Sequence, residues 1–269
     1  MQSEIKPPEY HTPSDKQKSW KHRLLPGCSA QFLWDTLVGS VFWGRRLALQ
    51  GRFSDPQMSE GAEKVIDAVE DAGAKLHITG LQNITETPGA VVFAGNHMST
   101  LETLILPRII YPFKECSFVV KDALVKGRIF GPIMRELQPI AVGRTNPRED
   151  LKKVLTEGKV LLQNGRSICI FPQTTRRRDF DAASFNSLGV KLAKRAGVQL
   201  IPVALKTDFW MPGRFLRDLG RVFPNRDVHV AFGPAINCNG NSRDAHRKTT
   251  EFITRKLTEW GAVKTQNSL

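Results

Sequence analysis

Ala90-Val91-Val92-Phe93-Ala94-Gly95-Asn96-His97-Met98-Ser99-Thr100-Leu101-Glu102 is the stretch that decides how this chain is read. Five apolar residues, β-branched and aromatic among them, make a strand-like run that ends at a glycine. A histidine follows, and then a helix start that carries a carboxylate five positions beyond it. Ser99 and Glu102 have the S-x-x-E spacing of a capping box, which is a structural role sufficient in itself. That role does not compete with chemistry, because a fixed first turn also holds the neighbouring histidine still. A histidine at a strand-to-helix junction, with an acid near enough to orient it, is a candidate general base.

Around this junction the pattern alternates. Lys75 to Gly80, Ala90 to Ala94, Ser117 to Lys121, Ile140 to Val142, Ser167 to Phe171, Leu200 to Leu205 and Val228 to Phe232 predict strands. Ala62 to Ala72, Ser99 to Ile110, Phe130 to Leu137, Asp150 to Gln163, Leu188 to Ala196 and Asp244 to Trp260 predict helices. Such alternation predicts an α/β fold with a central mixed, mostly parallel sheet flanked by helices. Active-site residues of these sheets collect at strand ends, where both His97 and a second segment, Phe171-Pro172-Gln173-Thr174-Thr175-Arg176, fall.

Three regions are expected. Residues 1–27 are polar and proline-punctuated, a flexible basic leader without a cleavable signal pattern. Residues 28–73 form an N-terminal helical segment expected to dock on a membrane, and residues 74–269 form the α/β domain. Within the helical segment, Ala30 to Trp43 is apolar apart from Asp35 and is followed by Arg45 and Arg46. It is shorter than the roughly 18 apolar residues that a membrane span requires. Phe32, Trp34, Phe42 and Trp43 suit a membrane interface, with the arginines meeting headgroups; a core-packing helix is the other reading.

The formal net charge of +13 favours anionic partners, whether nucleic acid, acidic lipid, a phosphorylated substrate or an acidic carrier protein. No nucleic-acid motif accompanies the charge, so nucleic acid is not expected. The four cysteines, Cys28, Cys116, Cys169 and Cys238, are widely spaced with no C-x-x-C pair. A disulfide framework or zinc site is therefore not expected, and the chain suits a reducing compartment.

Four blocks in order resemble the glycerol-3-phosphate/lysophosphatidic acid acyltransferase family, whose members carry N-H-x-S-x-x-D, a basic block, F-P-E-G-T-R and I-P-V. Here they stand as Asn96-His97-Met98-Ser99-Thr100-Leu101-Glu102, Ala141-Val142-Gly143-Arg144, Phe171-Pro172-Gln173-Thr174-Thr175-Arg176 and Leu200-Ile201-Pro202-Val203. The resemblance covers about Gly80 to Val203. It implies transfer of a fatty acyl group from a thioester, acyl-CoA or acyl-acyl carrier protein, to a hydroxyl of a phosphate-bearing lysophospholipid-like acceptor. His97 would be the base and Glu102 its orienting acid. Arg144 and Arg176 would pair with the acceptor phosphate, Lys121 would add a point charge, and Gln173, Thr174 and Thr175 would line the acceptor site. No metal or tightly bound cofactor is implied. The expected location is peripheral, on the cytoplasmic face of an anionic membrane.

Three positions depart from the family pattern. Glu102 replaces Asp, adding a methylene; Gln173 replaces Glu, so a neutral amide can donate as well as accept; Thr174 replaces Gly, removing freedom for positive φ. A histidine followed by Glu at this spacing also resembles the late acyltransferases of lipid A assembly. A non-catalytic, basic, peripheral membrane-binding protein is the alternative of another class.

Overall fold

The chain enters the sheet earlier than its composition suggests: strand β1 is Glu9–His11. The computed structural model describes residues 5–17, 19, 28–173, 175–213 and 220–262. After β1 come α1 (Cys28–Trp34), a π-helical stretch over Asp35–Phe42, α2 (Trp43–Leu49) and α3 (Asp55–Asp71). Then follow β2 (Leu76–Thr79), α4 (Gln82–Thr85), β3 (Val91–Gly95), α5 (Leu101–Ile110), β4 (Cys116–Lys121) and α6 (Asp122–Lys126). Next are α7 (Gly131–Glu136), β5 (Ile140–Val142), α8 (Pro147–Gln163), β6 (Ser167–Ile170) and a 3₁₀ turn at Ala182–Ser184. The chain closes with α9 (Leu188–Ala196), β7 (Gln199–Lys206), β8 (Val228–Phe232), β9 (Ile236–Asn237) and α10 (Ser242–Glu259).

Among the described residues the strands form one mixed sheet in the order β1-β2-β8-β7-β3-β6-β4-β5, with β9 against β7. Antiparallel pairing is confined to β1–β2, β7–β8 and β7–β9, and the remaining pairs are parallel. The expected mostly parallel sheet is what the chain builds. Its central strand β3 is buried on both faces, which is why it reads as an unbroken apolar run. Val91 and Phe93 join a core with Val65 and Val69 of α3 and Leu101 and Ile105 of α5. Val92 and Ala94 point the other way, into a core with Val154 of α8, Val190 of α9 and Ile253 of α10.

The flexible leader is a correction. Tyr10 is buried between exposed neighbours, its hydroxyl donates to Glu70 at 2.8 Å, and Thr12 donates to the same carboxylate at 2.6 Å. These bonds, with the backbone pairing to β2, hold the segment on the sheet edge; a three-residue strand is too short to show its alternation in sequence. The rest of the leader, residues 1–4, 18 and 20–27, lies outside the described residues.

The N-terminal helical stretch has a buried side, as the core-packing reading expects, and an exposed apolar side. Phe32, Thr36, Val41 and Ala48 are buried, and Phe32 packs edge-on against Phe209 and Trp210. Trp34, Val38, Phe42 and Leu49 face outward, Trp34 at 65% and Leu49 at 60% exposure. No helix among the described residues is long and apolar enough to cross a membrane.

Candidate active site

Three neighbouring parallel strands, β3, β6 and β7, finish at the same edge of the sheet. β3 runs into Asn96 and His97, β6 into Phe171 and Gln173, and β7 into Thr207. Residues far apart in sequence meet there because parallel strands present their C-terminal ends together. The Asn96 amide donates to the Leu205 carbonyl and accepts from the Leu205 N–H, both at 2.8 Å. It thereby extends the β3–β7 ladder one step by side chain and fixes where His97 leaves the sheet. The loop after β6 holds the histidine's own backbone: its N–H donates to Gln173 Oε1 at 2.6 Å and its carbonyl accepts from the Arg177 N–H at 2.9 Å. The imidazole stacks on the Phe171 ring at 4.6 Å between centroids, 14° from parallel.

Glu102 stands in the first turn of α5 and is fully buried. Oε1 accepts from His97 Nδ1 at 2.9 Å, from the Met98 N–H at 2.6 Å and from the Ser99 N–H at 2.9 Å. Oε2 accepts from Ser99 Oγ at 2.9 Å and from Thr207 Oγ1 at 2.6 Å. Burial pushes the carboxyl upward, but the bonds from His97, Thr207 and Ser99 outweigh it and hold Glu102 below the ordinary glutamate range. An ionised carboxylate only accepts, so the proton of a neutral His97 sits on Nδ1 and the lone pair on Nε2. No described residue bonds to Nε2. Capping and orientation therefore coexist in Glu102. The capping geometry differs from the expected box in one respect: Ser99 Oγ accepts from the Leu101 N–H, at 3.1 Å, one residue early.

The expected cationic residues divide into two groups. Arg176 is half-buried, and its Nη1 bonds Thr100 Oγ1, which places the guanidinium beside the start of α5. Lys121 ends β4 and Arg144 follows β5, both exposed, at the same edge of the sheet but two and three strands from β3, roughly 10 and 14 Å away. Arg144 has φ 62° in a turn held by Asp150, whose carboxylate accepts from the N–H groups of Gly143 at 2.9 Å and Arg144 at 2.7 Å. Gln173, expected toward the acceptor, is buried and spends Oε1 on His97, while its Nε2 has no partner among the described residues. Thr175 is exposed, and Thr174 lies outside the described residues. Thr207 was not singled out by the sequence; a threonine ending an apolar strand carries no pattern that distinguishes it.

The family profile described as Acyltransferase matches residues 75–206. The chain is 31% identical to a 1-acyl-sn-glycerol-3-phosphate acyltransferase of Pseudomonas aeruginosa, over 72% of this chain and 73% of that protein. It is 32% identical to a protein of the same name from Borreliella burgdorferi, over 50% of this chain and 52% of that one. The fold is similar to the crystal structure of the 1-acyl-sn-glycerophosphate (LPA) acyltransferase PlsC from Thermotoga maritima. There the TM-score is 0.64 at 17% identity, covering 89% of this chain and 97% of that chain. The chain is an O-acyltransferase that belongs to the glycerol-3-phosphate/lysophosphatidic acid acyltransferase family.

Proposed function

We propose that this enzyme moves a fatty acyl group from acyl-CoA or acyl-acyl carrier protein to the free hydroxyl of lysophosphatidic acid or a closely related lysophospholipid. The observation that carries the reading is the 2.9 Å contact of His97 Nδ1 with a buried, ionised Glu102, which leaves Nε2 as the available base. The acceptor hydroxyl gives its proton to Nε2 as its oxygen attacks the thioester carbonyl. The tetrahedral intermediate collapses by breaking the C–S bond, and the imidazolium returns the proton to the departing thiolate. Products are an ester and a free thiol. Glu102 stabilises the imidazolium between these steps, as the acid of a catalytic triad does. The acceptor is itself the nucleophile, so no serine or cysteine of the protein enters.

Arg176 is the residue best situated to pair with the acceptor phosphate, since it is anchored beside the helix that carries Glu102. Lys121 and Arg144 lie further along the same edge and suit the outer phosphates of CoA or the acidic face of a carrier protein. The enzyme would work peripherally on the cytoplasmic face of an anionic membrane, with Trp34, Val38, Phe42 and Leu49 entering the interface.

Acyl transfer in lipid vesicles tests the reading, with both thioester donors and a panel of lysophosphatidic acid, other lysophospholipids and an acylated disaccharide. His97→Ala should lower turnover by about 10³-fold, within the range a positioned base supplies. Undiminished turnover in a folded His97→Ala protein would remove the histidine from the chemistry. Transfer only to the disaccharide would move the acceptor to lipid A precursors.

A further inference from the structure

We infer that the Thr207 hydroxyl is a positioning group for acyl transfer, clamping Glu102 so that its other oxygen holds His97 in the reactive orientation. The inference rests on His97 acting as the base. Thr207 directly follows β7 and is fully buried. Its hydroxyl lies 2.6 Å from Glu102 Oε2 and 2.9 Å from Ser99 Oγ, and its N–H points to Met98 Sδ at 3.3 Å.

Each hydroxyl has one proton to give. Ser99 Oγ lies 2.9 Å from both Glu102 Oε2 and Thr207 Oγ1, so its proton has two acceptors. The Thr207 hydroxyl lies nearer to the charged Glu102 Oε2, at 2.6 Å, than to Ser99 Oγ, at 2.9 Å, so its proton goes to the carboxylate. When Ser99 donates to Thr207, the Thr207 proton is left to the carboxylate; when Ser99 donates to Glu102, the shorter, charge-assisted contact at 2.6 Å takes it there. If Ser99 donates to Thr207, the chain of bonds strengthens the second link.

The other donors to Glu102 belong to its own segment: His97, Met98 and Ser99 precede it by five residues or fewer. They move with the turn they cap. Thr207 reaches it from a different strand, 105 residues away in sequence. A glutamate has one more torsion than an aspartate, and with Oε2 held only by Ser99 of its own turn, at 2.9 Å from Oγ and 3.1 Å from the N–H, the carboxylate has more room to rotate and slacken its hold on Nδ1. Thr207 is itself fixed by its neighbours, since Lys206 pairs with Asp208 at 3.1 Å and Arg226 with Asp208 at 3.5 Å. The clamp thus ties the base to the sheet.

The test compares initial rates against pH for the full-length protein and for Thr207→Val, Thr207→Ser and His97→Ala. The substrates are an acyl-CoA and lysophosphatidic acid in mixed micelles. Thr207→Val should lower kcat by about tenfold with KM little changed, a part of the roughly 10²–10⁴-fold that a positioned base supplies. The acid limb of its rate profile should move to higher pH, because a carboxylate that has lost a donor pulls harder on the imidazolium proton. Thr207→Ser should restore most of the rate and the limb. Thr207→Ala serves the same purpose if the valine variant does not fold. Wild-type kcat and an unmoved limb in a folded valine or alanine variant, with His97→Ala inactive, would overturn this inference alone. Full activity in His97→Ala would overturn the general-base reading and the clamp with it.

Discussion

At the scale of single residues, Glu102 carries two loads, capping α5 and orienting His97, and one substitution separates them from simple loss of bulk. Glu102→Gln keeps the shape but puts an NH₂ group among the donors of Met98, Ser99 and Thr207. Turnover should fall by about 10²–10⁴-fold, measured as kcat with a saturating acceptor. Stability should respond to pH as well. The folded-state pKa of Glu102 is lowered, so the carboxylate's contribution is present above the ordinary glutamate value of 4.5 and is lost as pH falls through the lower folded value. The melting-temperature gap between wild type and Glu102→Gln should therefore be widest near neutral pH and shrink below about 4.5. A gap independent of pH would mean the charge does not contribute. His97 and Glu102 were legible in the sequence because their spacing is local. Thr207 and the Arg176–Thr100 contact were not, because each depends on strands being parallel and adjacent, which a linear pattern does not state. Gln173 was legible as a site residue but not in its role, since nothing local shows that its carbonyl would be taken by the His97 backbone.

At the scale of elements, the joints between strands and helices carry the tightest constraints. Gly80, just after β2, has φ +78°, and a Cβ there would meet the Phe232 carbonyl oxygen at 2.0 Å. Gly80→Ala should cost about 2–4 kcal/mol from backbone strain plus overpacking, read from chemical denaturation. An unchanged midpoint would show that the β2–α4 joint can relax. The edge of the sheet predicts a second effect. His11, His77 and His229 stand side by side across β1, β2 and β8, and His229 also stacks on Trp260 at 5.0 Å. Burial, then repulsion from His77 and Lys206, lowers His229 from the ordinary 6.5 to about 4. A histidine held neutral by the fold gives stability that is complete above about 6.5 and is lost as pH falls toward 4. His229→Gln should flatten the fall in melting temperature over that window; an equally steep fall would place the acid sensitivity elsewhere. Most strands and helices were legible because both faces of the central strands are apolar and the outer helices are amphipathic. The start of α3 was not. Ser54-Asp55-Pro56 reads as a turn, yet proline in the first helical turn needs no N–H partner and begins the helix seven residues early. β1 was missed because its pairing with β2 and its bonds to Glu70 are all long-range.

At the scale of the whole molecule, no helix among the described residues is long and apolar enough to cross a membrane, so a lipid acceptor would be met from the surface these residues present. The N-terminal helical stretch packs Phe32 and Val41 inward and turns Trp34, Val38, Phe42 and Leu49 outward. Leu124 and Ile129 are exposed as well, and Arg45 Nε donates to the Arg128 carbonyl at 3.0 Å, which sets their segment beside α2. Arg45, Arg46, Lys126 and Arg128 stand in the same two segments as these apolar side chains, a combination that would suit the proposed anionic interface. The sequence left this stretch between core and membrane because one helix can serve both, and only packing shows which residues turn which way. Removing the first 50 residues is a poor test, since it would also take β1 and Phe32 out of the fold. Trp34→Ser with Phe42→Ser changes outward side chains alone. The pair should weaken flotation with anionic phospholipid vesicles by about 2 kcal/mol, roughly thirtyfold in partitioning, for aromatics partly inserted at the interface. Raising salt should weaken wild-type binding further through screening of the basic residues. Turnover on a short-chain, water-soluble acceptor should be unchanged in the variant, while turnover on vesicle-embedded acceptor falls with binding. If flotation of the folded variant matches wild type, the outward aromatics are not the docking surface. If both turnovers fall together, the N-terminal helices shape the active site instead of delivering it to the membrane.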